Sequence, residues 1–175
     1  LPITDGIFDS LMSPPSIADL KLALKRLPNG KSAGPSSLPT ELFVYLSPDL
    51  MDFVATLFGL IVETGKMPSA WHSATIFPIP KGDGYTGDLA NLRPITLIDT
   101  GRKWFSTVLT CRFIDIVEGH GLLKGGNYGC TPGVQSLDPV HILQTFCEDS
   151  VLLDKDLLIL SLDIKRAFDS VPFGS

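Results

Sequence analysis

The chain has 175 residues, 44% of them hydrophobic, and a formal charge of −5. That is enough apolar material for one or two small domains with a real core, and it excludes disordered, collagenous and disulfide-scaffold classes. Three cysteines (Cys111, Cys130, Cys147) without CxxC or Cys/His spacing imply reduced thiols in an intracellular protein and no zinc site. The most apolar window, Leu50 to Val62, contains Asp52 and is shorter than a membrane span, and no secretory signal pattern opens the chain. Net acidity argues against nucleic-acid binding by the whole surface. From Lys66 to Arg112, however, the charges are Lys66, Lys81, Arg93, Arg102, Lys103 and Arg112 against Asp83, Asp88 and Asp99, so an anionic partner there is compatible with the sequence.

Residues 1–15 read as a linker-like lead-in ending in Ser13-Pro-Pro-Ser16. Ser16 with Asp19 is a capping box, and Ile17, Leu20, Leu24 and Leu27 form one apolar helical face that Pro28-Asn-Gly30 terminates. Lys31-Ser-Ala-Gly34-Pro35-Ser-Ser-Leu-Pro39 is a loop on its Gly and Pro density. Thr40 is positioned to cap a short helix reaching Leu46. Ser47-Pro48-Asp49 starts another that ends at Gly65; it is apolar nearly all round and is expected to be buried. Ala74 to Pro80 and Leu92 to Ile98 read as a hairpin, the prolines marking an edge strand. Thr100 can cap a helix to about Glu118 with Phe105, Leu109, Phe113 and Ile116 as its core stripe. Leu137 to Leu152 suits a helix with Pro139 in its first turn. Leu157 to Leu162, apolar but for Ser161, reads as a buried central strand, and Asp163 stands where it should emerge. A carboxylate there can face a hard cation such as Mg²⁺, and equally can cap a following helix.

The order of short elements is more specific than any one of them. Lys31-Ser-Ala-Gly-Pro, Ile79-Pro80-Lys81, Asn91-Leu-Arg93-Pro94-Ile95, Tyr128-Gly129 and Leu162-Asp163-Ile-Lys-Arg-Ala167-Phe168-Asp169 together resemble the amino-terminal half of the reverse transcriptase domain of non-LTR (LINE-type) retrotransposons, from about Ser16 to Val171. The resemblance implies an α+β fragment of a right-hand polymerase. Residues 16–153 would be fingers and the start of the palm, with a β-hairpin, and 154–175 the first catalytic palm strand and its exit, the sheet being incomplete. It implies that Asp163 and the Ile164 carbonyl hold Mg²⁺, two ions in the complete domain. Lys81 and Arg93 would grip the triphosphate, and Ala167 and Phe168 would contact the incoming nucleotide, Phe168 excluding a 2′-hydroxyl. Partners would be an RNA template, a DNA primer and deoxynucleoside triphosphates, with no membrane, and the complete element would act in the nucleus. Taken without the family, Lys81 and Arg93 are solvated surface charges and Phe168 a core aromatic; Asp169, six residues from Asp163 and given no ligand role by the resemblance, is read as structural.

The chain departs from the pattern at Gly34-Pro35-Ser36-Ser37 (usually Gly-Pro-Asp-Gly), at Leu92 (usually aromatic) and at Asn127-Tyr-Gly129-Cys130 (usually Gln-x-Gly-Phe). It ends before the family's second motif, aromatic-x-Asp-Asp, so this polypeptide is expected to be catalytically inert. The alternative is a decayed retroelement remnant that at most binds nucleic acid through its hairpin and basic helix. A nucleotide-binding α/β domain has no Gly-x-Gly-x-x-Gly or Walker-type spacing to support it. His72, His120 and His141 stand singly.

Overall fold

In the computed structural model, which describes residues 6–82, 87–122, 128–129 and 133–164, Ser16 opens helix α1 (Ile17–Arg26) through a reciprocal capping box. The Ser16 hydroxyl accepts the Asp19 N–H at 3.2 Å, and Asp19 accepts the Ser16 N–H at 2.9 Å. Leu20 and Leu24 on the apolar stripe are buried. Helix α2 (Thr40–Val44) follows the Gly/Pro loop, and α3 (Pro48–Thr64) starts at Ser47, whose hydroxyl caps the Leu50 N–H. Gly65 closes α3 in the left-handed region at φ 66°, where a side chain would be strained.

The remaining described elements are strands β1 (Ala74–Pro80) and β2 (Leu92–Ile98) and helices α4 (Thr100–Gly119) and α5 (Asp138–Leu152). Short 3₁₀ turns at Ser69–His72 and Leu89–Asn91 lead into the two strands. The chain divides into two compact units, Leu1–Leu123 and Lys124–Ser175. The first has an aromatic centre: Phe58 of α3 meets Trp71, Trp104 and Phe105 edge-on, at centroid distances of 6.2, 5.5 and 5.2 Å. Helices α1 and α4 pack against each other, and the Trp104 indole N–H donates to the Leu20 carbonyl at 2.9 Å, joining them across the core.

Five expectations are corrected. Thr40 is the first residue of α2 and not its cap; Pro39 holds the cap position with no side-chain hydrogen bond, and the helix stops at Val44 short of Leu46. Helix α3 buries one stripe only (Met51, Phe58, Ile61), leaving Leu50, Phe53 and Leu60 more than half exposed, because a partner helix covers only the face it touches. Asp99, not Thr100, caps α4: its Oδ1 accepts the Gly101 N–H at 2.9 Å, while the Thr100 hydroxyl donates to the Leu38 carbonyl at 2.6 Å. The core stripe of α4 runs through Trp104, Phe105, Val108, Cys111 and Ile116; Phe113 is half exposed and stacks on Phe8. Finally, 155–164 takes no regular secondary structure, and β1–β2 is the only ladder among the described residues. The expected buried strand at Leu157–Leu162, the first palm strand of the anticipated sheet, is therefore not formed. A strand exists only by pairing, and without a partner Leu158, Leu160 and Leu162 are all more than 80% exposed.

Candidate functional site

The hairpin is built by register. β1 and β2 pair antiparallel from Ala74↔Ile98 to Pro80↔Leu92, and the Lys81 N–H donates to the Asn91 carbonyl at 2.8 Å beyond the last pair. In such a ladder hydrogen-bonded pairs alternate with non-bonded ones. Counting back from Lys81–Asn91, the bonded pairs are Ile79–Arg93, Phe77–Ile95 and Thr75–Leu97. Pro78, Pro80 and Pro94 then all fall on non-bonded pairs, where an N–H would point away from the partner strand. The prolines therefore remove no ladder bond and leave the outer edges short of donors, as the edge-strand reading anticipated.

Opposed residues share a face, so Arg93 lies with Phe77, Ile79 and Ile95, all exposed. Lys81 and Arg93 thus both stand at the far end of one hairpin, one just past β1 and the other second in β2, and both are exposed.

The first-loop motif docks at the other end of β2. A Cβ added to Gly34 would lie 2.5 Å from the Asp99 nitrogen and closer still to the Ile98 carbonyl group, so only glycine lets this loop touch the β2–α4 junction. The Thr100–Leu38 bond and Lys103 Nζ donating to the Ser32 carbonyl at 3.3 Å hold the loop there. Gly30 and Glu41 bracket the same loop: the Gly30 N–H donates to Glu41 Oε1 at 2.5 Å, which holds the Glu41 carboxyl below the usual range.

Three cations of the net-positive section serve the fold. Arg102 donates to the Trp71 carbonyl at 2.9 Å, and Lys103 is committed as described. Arg112 reaches the carbonyls of Leu11 (3.4 Å), Ser13 and Pro14 (3.2 Å) and pairs with Asp19 at 2.9 Å. Burial pushes the Asp19 carboxyl up, but hydrogen bonds from the Ser16 backbone and the Arg112 guanidinium outweigh it and hold it below the ordinary range. Composition could not reveal this clamp, because Arg112 and its acceptors are about a hundred residues apart in sequence. The basic helix invoked as a nucleic-acid surface is, at Arg102, Lys103 and Arg112, a set of internal ties, and the section's exposed cations are Lys66, just after α3, and Lys81 and Arg93 at the hairpin.

Asp163 and Ile164 lie in the second unit, in the segment without secondary structure, and are exposed. Ala167, Phe168 and Asp169 lie outside the described residues. Among the described residues no three His, Cys, Asp or Glu side chains gather as a metal site. Mg²⁺ demands a near-octahedral oxygen shell, which one exposed carboxylate does not make, so the described residues alone do not fit the metal pair implied by the resemblance. No helix among them is long and apolar enough to cross a membrane.

No family model matches the chain. Among curated proteins it is 22% identical over 160 residues to the RNA-directed DNA polymerase from mobile element jockey of Drosophila melanogaster, covering 91% of this chain and 18% of that protein. It is 26% identical over 144 residues to the Pol polyprotein of the type-1 retrotransposable element R2 of Nasonia vitripennis (82% of this chain, 13% of that protein). With the R2 polyprotein of Popillia japonica it shares 32% over 113 residues (63% and 15%). The chain thus spans less than a fifth of the length of these curated relatives. Matches of this kind cover most of the chain and agree with the motif order, so the chain is similar over most of its length to the RNA-directed DNA polymerases of non-LTR retrotransposons.

Proposed function

We propose that this chain is the fingers and first catalytic segment of an RNA-directed DNA polymerase, the part that receives the incoming deoxynucleoside triphosphate on an RNA template and DNA primer. The observation that supports the reading is the hairpin: its sequence elements match the family order, and Lys81 and Arg93 are both exposed at the same end of its ladder. Phosphoryl transfer piles charge onto the reacting phosphates, and preorganised cations stabilise it. Arg93 can take two phosphate oxygens in its planar fork, while Lys81 contributes a point charge. Asp163 would add one carboxylate to the Mg²⁺ ions that such chemistry uses; with no cluster around it among the described residues, no step is assigned to the metal. Ala167 and Phe168 are proposed to contact the sugar of the same nucleotide.

Two measurements test this. The 175-residue chain should bind a deoxynucleoside triphosphate, and Lys81→Ala with Arg93→Ala should weaken that binding at least tenfold without changing its unfolding curve. In a jockey polymerase carrying this chain in place of its matched segment, Asp163→Ala should abolish primer extension while the protein stays folded. Extension that survives Asp163→Ala, or triphosphate binding indifferent to both cations, would falsify the reading.

A further inference from the structure

We propose that a groove between α1 and the α2–α3 corner of the first unit docks an acidic amphipathic helix from a partner protein. The cavity measures about 550 Å³, with Leu24, Leu27, Leu46 and Met51 as its apolar lining and Lys21 and Lys25 on its α1 rim. That volume lies within the range of dedicated binding pockets. The two lysines are one helical turn apart on one side of α1, and neither forms an ion pair among the described residues; the acid of the same helix, Asp19, is already taken by Arg112. The groove thus presents an apolar floor beside two uncompensated positive charges.

The surroundings favour a helix over a small molecule or a nucleic acid. Val44, on the opposite wall, is 53% exposed, so apolar surface is open at the mouth of the cavity. A helix with leucine-like anchors at i, i+4 and i+7 covers such a surface, and Asp or Glu beside the anchors would meet the lysines. Single-stranded nucleic acid reads through aromatic stacking platforms, and no aromatic side chain lines this cavity. The Gly30–Glu41 hydrogen bond ties the loop after α1 to the start of α2, so this side of the groove is shaped before a partner arrives.

The test uses the whole chain and a labelled helical peptide with leucine anchors flanked by glutamates. Controls are the same composition scrambled, sodium laurate and a short single-stranded RNA. The expected result is binding at least tenfold tighter than the scrambled peptide, weakened at least tenfold by Lys21→Glu with Lys25→Glu and by Val44→Glu. Those lysine reversals should regain binding when the peptide's glutamates are replaced by lysines, an outcome that loss of folding could not produce. The proposal is overturned if the scrambled peptide binds equally well or the lysine reversals leave binding unchanged. It is equally overturned if laurate or RNA displaces the peptide through the same residues at lower concentration, or if Val44→Glu instead abolishes self-association of the chain. Triphosphate binding at the hairpin is a separate readout, so either conclusion can fail alone.

Discussion

Replacing Gly34 by alanine tests whether the first-loop motif exists for close approach. The new Cβ would sit 2.5 Å from the Asp99 nitrogen, and nearer to the Ile98 carbonyl group, where unstrained contacts lie at about 3.5 Å or more. The obstacle is the backbone of the Ile98–Asp99 peptide, so the loop must retreat by about 1 Å. That retreat stretches the 2.6 Å bond from Thr100 Oγ1 to the Leu38 carbonyl past its useful range. Overpacking costs about 1–3 kcal/mol and the lost hydrogen bond about 1 more, so a destabilisation of about 3 kcal/mol is expected. With a urea slope of about 2 kcal/mol/M, the midpoint should fall by about 1.5 M. Both tryptophans, Trp71 and Trp104, belong to the aromatic centre, so their fluorescence reports unfolding of this unit alone. Gly30→Ala is the control: it has φ 66° and nothing within 4 Å, so it pays only the left-handed backbone penalty of about 1 kcal/mol. If Gly34→Ala proves no worse than Gly30→Ala, the close-approach argument is wrong.

Arg112→Met should lower stability at neutral pH by about 2–3 kcal/mol, since one guanidinium serves three carbonyls and Asp19. The Asp19 carboxyl is depressed in the folded state, so its contribution is present above the unfolded value of about 4 and fades as pH falls through the lower folded value. The gap between wild type and variant should accordingly narrow between pH 5 and pH 2 in urea titrations; a gap that widens on acidification contradicts the pairing. Pro78→Val together with Pro94→Val restores outward N–H groups without touching a bonded pair. The ladder should survive by amide exchange while sedimentation shows more self-association than wild type, and loss of the ladder would disprove the register assignment.

Much of this chain could be read locally. Ser16, Ser47 and Gly65 act within a few residues of themselves, and the hairpin bounds follow from alternation and proline placement; those elements stand where the residues put them. The motif order likewise pointed to the polymerase family that the comparisons support. Decisions needing a distant partner were not legible. Whether Asp99 or Thr100 capped α4 depended on Leu38, sixty-two residues away from Thr100. The use of Arg112 depended on the first nineteen residues, and the exposure of α3 on how far its neighbours extend. Leu157 to Leu162 has the composition of a buried strand, yet it forms none, because composition supplies a preference and only a paired edge supplies the hydrogen bonds. Local chemistry alone therefore determined the start of α1, both ends of α3 and the hairpin register, whereas tertiary contact decided which residue capped α4 and which charges were tied inside the first unit.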